Sequence, residues 1–146
     1  MKAMTKIFGI VLAVLAVGCL GYHEVSSNEA TATIEAKIGC EFPPNVEVRT
    51  ARMDYRSSVS FIGRLDVSDE QLQAFLGSFK PRIELHPYGH PWGKTPEPVS
   101  KGIEWWDAHS IENPLSGRLD SSDLEFVISV TEVDGLSKVH FKVSWE

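Results

Sequence analysis

The chain has 146 residues, 14 basic and 20 acidic, of which 42% are hydrophobic, and a formal net charge of −6. That size suits one domain with a genuine apolar core rather than two. The negative charge is dispersed and no basic cluster exists, which disfavours nucleic-acid phosphates and direct adsorption to anionic lipid as partners, while permitting a basic protein.

Lys2 and Lys6 precede an apolar run from Ile7 to Val17, and small residues follow. A basic start, a short apolar stretch and small residues before a cut are what export machinery reads, and the run is too short to span a bilayer. Residues 1–18 are therefore expected to be a signal peptide. Its removal leaves 128 residues with 12 basic against 20 acidic side chains, a formal charge of −8. The residues around the expected cut, Ala16-Val17-Gly18-Cys19, resemble the bacterial lipobox, although Ala16 stands where leucine is commonest. That resemblance implies acylation of Cys19, which becomes the new N terminus; one acyl chain binds membranes only marginally, but several hold firmly. A second account remains open. Ordinary cleavage after Ala16 or Gly18 leaves Cys19 able to bridge Cys40, closing a loop of about 20 residues worth on the order of 3 kcal/mol. The two accounts exclude each other, because a thioether sulfur cannot also form a disulfide.

Leu20 to Asn28 is polar and short-sided and suits a tether. Ala32, Ile34, Ala36 and Ile38 alternate with polar residues at a strand period, yet Ala and Glu also favour helix; the segment is read as an extended lead-in. Phe42-Pro43-Pro44-Asn45 breaks regular structure, and a first strand is predicted from Val46 to Asp54. Asp54-Tyr55-Arg56 reads as a turn with a surface ion pair. A second strand places Val59, Phe61, Leu65 and Val67 on one face, interrupted by Gly63, where a side chain from elsewhere, a Trp for choice, is expected to rest. Ser68-Asp69-Glu70-Gln71 then reads as a capping box opening a helix whose stripe is Leu72, Phe75, Leu76 and Phe79, ending before Pro81. A short candidate strand, Arg82 to His86, leads into a long Pro- and Gly-rich section. The chain closes with a hairpin, Leu124, Phe126, Ile128 and Val130 answered by Val139, Phe141, Val143 and Trp145 across an Asp134-Gly135 turn. The expected fold is α+β: an antiparallel β-sheet of about four or five strands with one amphipathic helix on one face, in the order β-β-α-long loop-β-β. Residues 19–40 are then lipid-attachment site, tether and lead-in, and residues 41–146 a single domain, with the long loop over an edge or an end of the sheet.

Trp105-Trp106-Asp107 is the most unusual local feature. If extended, one ring faces inward and the other offers a flat surface to a sugar, peptide or cation, with Asp107 as acceptor and with Trp92 and Tyr88 enlarging the platform. The alternative is that both rings pin the loop to the sheet while Asp107 begins a helical turn. Trp92, Trp105, Trp106 and Asp107 form the candidate binding surface. His86 and His90 have the spacing of a metal pair, with His109 or Glu84 as a third ligand, but Pro87 and Gly89 oppose the helix that would aim them together, and neither CxxC nor HExxH accompanies them. Glu104, Asp107 and Glu112 are candidate paired carboxylates for glycoside hydrolysis. Serines lack a G-x-S-x-G turn, Cys40 lacks an activating neighbour, and no phosphate-cradling glycine motif exists. No catalytic, metal or cofactor site is assigned.

Phe42-Pro43-Pro44-Asn45-Val46, Met53-Asp54-Tyr55, the Phe61 to Phe75 strand and helix, Trp105-Trp106-Asp107 and the closing hairpin together resemble small bacterial exported proteins, often lipoproteins, over most of Glu41 to Trp145. The resemblance implies an envelope setting and transfers no catalytic residue. The expected function is that of a non-enzymatic, envelope-tethered domain: a membrane partner through its lipid anchor, and a protein or glycan bound by the Trp-rich loop. The alternatives are a small hydrolase or metal enzyme using the loop histidines and acids, or an exported inhibitor or immunity protein.

Overall fold

The computed structural model describes residues 21–87, 91–92 and 102–146. The expected signal peptide, Cys19, Tyr88, His90 and the His109 side chain lie outside the described residues. Six antiparallel strands form one sheet: β1 (His23–Glu24), β2 (Val48–Tyr55), β3 (Ser58–Val67), β4 (Leu115–Asp120), β5 (Leu124–Val133) and β6 (Leu136–Trp145), in the spatial order β1-β2-β3-β6-β5-β4. Among the described residues there are two α-helices, α1 (Ser27–Ile38) and α2 (Asp69–Ser78), and one short 3₁₀ turn. The antiparallel sheet stands as expected. Its strand number and the single helix do not: the described residues are mainly β, with six strands and two helices.

The expected lead-in is α1. Of the alternating row only Ile34 is fully buried; with Ala30 four residues earlier and Ile38 four later, it makes a helical stripe against the core, while Ala32 and Ala36 are exposed. The threonines that suggested a strand turn their hydroxyls onto carbonyls one turn back, Thr31 to Ser27 at 2.8 Å and Thr33 to Glu29 at 2.9 Å, a local bond open to Ser and Thr within helices. Gly39, at φ 83°, caps the end by donating its N–H to the Glu35 carbonyl at 2.7 Å. The expected tether is also part of the body. Tyr22 shares a hydrogen bond of 2.7 Å with Ser60, and β1 pairs with β2.

At α2 the capping box forms in full: Ser68 Oγ accepts from the Gln71 N–H, and Gln71 Oε1 accepts from the Ser68 N–H. Leu72, Phe75, Leu76 and Phe79 are buried against Phe61, Leu65, Phe126, Ile128, Val139, Phe141 and Val143, the inward rows of the three central strands. Gly63 admits no Cβ because the Phe141 ring, from the neighbouring strand, occupies that space. The resting side chain is therefore Phe141 and not a Trp. The β5–β6 turn is type I′ in form, with Asp134 at φ 54° and Gly135 at φ 79°. Residues 82–86 do not make a strand of their own; His86 forms an isolated antiparallel bridge with Ser116 of the unforeseen edge strand β4.

The described part of the long loop lies over a face and reaches the edge strand β1 through Trp105. It covers the face of the sheet opposite the helices, where Ile103 and Trp105 pack on Ala51 and Ile62, and Trp92 and Ala108 pack on Val127.

Candidate functional site

Register brings one polar residue from each of five strands into a single row on the loop-covered face. Arg49 lies opposite Arg64, Arg64 opposite His140, His140 opposite Ser129, and Ser129 opposite Ser116. In a strand read alone each of these is an outward, solvent-facing position. Here the centre of the row is dry: His140 and Ser129 are 0% exposed.

Asp107 reaches this row from above. A tight turn carries it there, with the Trp106 N–H bonded to the Ile103 carbonyl and the Ser110 N–H to the Asp107 carbonyl, so that Asp107 precedes a short 3₁₀ turn at Ala108–Ser110. Its carboxylate lies 2.6 Å from His140 Nε2, 3.3 Å from Lys138 Nζ and 3.6 Å from an Arg64 guanidinium nitrogen. Burial lowers the pKa of His140, against the opposing pull of Asp107, and the neighbouring Arg64 and Lys138 charges push the same way as burial. Burial by itself would raise Asp107, but the hydrogen bond from His140 and the nearby cations outweigh it and hold the carboxyl below its ordinary range. The consistent state is a neutral imidazole donating its Nε2–H to an ionised Asp107, held further by Arg64 and Lys138. His140 Nδ1 is then a bare lone pair. It and the Ser129 hydroxyl are buried without a hydrogen-bond partner.

The tryptophans roof this cluster. Trp105 and Trp106 stand edge to face with centroids 6.3 Å apart; Trp106 in turn meets Trp92 at 5.1 Å and the His140 ring at 5.3 Å, both edge to face. Trp105 donates its indole N–H to Glu24 at 2.6 Å, tying the loop to β1. Both adjacent rings turn to the sheet because their backbone is coiled into turns, where neighbouring side chains need not alternate. Trp92 and Trp105 are buried, and Trp106 and Asp107 are half-buried at the surface of the layer.

Of the other candidates, Glu84, His86, Glu104 and Glu112 are exposed. Arg64 and Lys138, the cations that hold Asp107, form no ion pair with Glu104 or Glu112. Among the described residues no group of three or more His, Cys, Asp or Glu is placed to hold a metal. Cys40 packs in the helix-side core, its thiol pushed up to about 12 by burial and then by the Glu35 charge. Sequence reasoning singled out Asp107 and missed Arg64, Ser129, Lys138 and His140. The available signal was one polar residue inside each apolar strand, legible only once the register is known. No protein-family model, curated protein or solved structure matches the chain.

Proposed function

We propose that the chain is an exported, non-enzymatic protein of the bacterial cell envelope, acylated at Cys19, whose loop layer around Trp106 and Asp107 receives a protein or glycan partner. The observation that carries this reading is the disposition of Asp107. Its carboxylate is divided among His140, Lys138 and Arg64 beside the Trp106 ring, which stiffens this surface and commits the carboxylate to partners within the fold. A rigid aromatic edge beside a fixed carboxylate suits recognition, since it loses little conformational freedom on binding. The opening segment and Ala16-Val17-Gly18-Cys19 support the location.

Two measurements test the proposal. Mass spectrometry of the mature protein is expected to show an N terminus at Cys19 with added lipid mass. Retention of the purified protein on immobilised envelope glycan or envelope protein is expected to fall about tenfold in Trp106→Ala, the scale of a lost aromatic contact at a binding surface, while the folded fraction by circular dichroism is unchanged. Equal retention by wild type and variant would remove the loop layer as the binding face.

A further inference from the structure

We propose that the acylated protein stands on its membrane with the β2–β3 turn lowered into the lipid headgroup layer, Tyr55 and Arg56 being the contact residues, and the β5–β6 turn pointing away. This rests on acylation at Cys19 and adds to it the orientation of the body and its lipid-facing surface.

The argument begins with the direction of β1. His23 pairs with Arg52 and Glu24 with Ala51, antiparallel, so the chain enters the sheet from the end where β2 finishes and β3 begins. His23 lies four positions after Cys19, and a fully extended chain covers at most about 14 Å over that span. The attachment point is thus confined near one end of the sheet, and the tether that would have let the body tumble does not exist, because Tyr22 is already bonded to Ser60.

That end has the chemistry of a membrane interface. Tyr55 is 46% exposed, one of four large hydrophobic side chains exposed among the described residues. Arg56, in the left-handed region at φ 56°, lays its guanidinium over the Tyr55 ring at 5.3 Å from the centroid, and the Ser58 hydroxyl closes the turn onto the Tyr55 carbonyl at 2.8 Å. Aromatic rings with a polar tip settle at headgroup depth, and a guanidinium pairs with lipid phosphate. Neighbouring cations are already held, Arg52 by Asp54, Arg118 by Asp120 and Glu125, and Lys37 by Asp123. Arg56 is engaged by a ring and keeps its hydrogen-bonding edge for phosphate. The β4–β5 turn on the far side of the same end carries Asp120 and Asp123, whose charge favours a tilt that lowers the Tyr55 corner and lifts the acidic one. The other exposed apolar side chains, Val133, Leu136 and Leu115, lie toward the opposite end, since Val133 pairs with Leu136 across the β5–β6 turn and Leu115 with Val130.

The test uses the full acylated protein in vesicles of phosphatidylethanolamine and phosphatidylglycerol carrying a headgroup nitroxide quencher. A thiol-reactive fluorophore is placed by Tyr55→Cys, by Ser57→Cys in the same turn, or by Leu136→Cys; buried Cys40 does not compete for it. With β6 spanning roughly 30 Å between its ends, quenching is expected to be at least about threefold stronger at positions 55 and 57 than at position 136. Equal quenching at all three, or stronger quenching at 136, in protein whose mass includes the lipid overturns the orientation and leaves the anchor standing. Absence of the lipid mass removes the anchor, and the orientation with it.

Discussion

A carboxylate two-thirds shielded from water, within 3.6 Å of a histidine, a lysine and an arginine, is stabilising only while its partners stay in place. Removing the carboxylate leaves the fully buried His140 imidazole without its acceptor, the costly side of a hydrogen bond's ledger. Asp107→Ala is expected to destabilise the domain by about 2 kcal/mol in urea denaturation, since the His140 Nε2–H then has no acceptor. The pH dependence follows from the same geometry. Both His140 and Asp107 titrate below their ordinary values of 6.5 and 3.8, so on acidification the unfolded chain takes up protons before the folded one. Stability is therefore full above about pH 6.5, declines as the pH falls toward the depressed value of His140, and declines again below about 3.8 as Asp107 is neutralised. Urea midpoints measured from about pH 8 downward are expected to show the first decline in wild type and to lack it in His140→Gln. A wild-type midpoint that rises between pH 6.5 and 5 would contradict the buried neutral imidazole.

The elements differ in how far local rules govern them. Strands β3, β5 and β6 and helix α2 were legible because each carries a long apolar row at its own period, and Ser68 with Gln71 marks where the helix begins. Helix α1 was not, because Ala32, Ile34, Ala36 and Ile38 satisfy a strand period and Ala30, Ile34 and Ile38 a helical one. Gly39 at the end of the row was the deciding local sign, and burial of the 30-34-38 stripe made the helix the better solution. Strand β4 has only six residues with Gly117 within it, too short and broken for a pattern to register. At Gly63 the strand glycine was readable and its neighbour was not, since Phe141 lies 78 positions away and arrives by pairing of β3 with β6. Gly63→Ala is expected to cost about 1–3 kcal/mol by overpacking. Combining it with Phe141→Leu should destabilise less than the sum of the two single changes by at least about 1 kcal/mol. Strict additivity in chemical denaturation would mean that the Phe141 ring is not what excludes a side chain at position 63.

On the scale of the molecule, the sheet is covered on both faces by different means. The helix side is filled by interlocking phenylalanines and aliphatic side chains, whereas the opposite side is closed by a few large indoles, a short turn and one ionic cluster. Among the described residues the second covering rests on a few large side chains. Trp105→Ala removes both a buried ring and the bond to Glu24, and a loss of about 3–5 kcal/mol is expected by urea denaturation, far more than for the half-buried Trp106. A loss below about 1 kcal/mol would show that the loop layer contributes little to the fold.

What the amino-acid order settled unaided was local: an opening segment with the features of an export address, the alternating rows of the central strands, a capped helix and a hairpin turn. Each depends on residues within a few positions of one another, where backbone geometry and solvent contact act directly. The tertiary structure alone decided that the polar positions of β3, β5 and β6 form a row whose centre, His140 and Ser129, is buried, that Asp107 descends onto it, and that the chain enters the sheet beside Tyr55. Those outcomes depend on strand register and on what lies above a face, quantities that arise when distant segments meet and that no window of neighbouring residues contains.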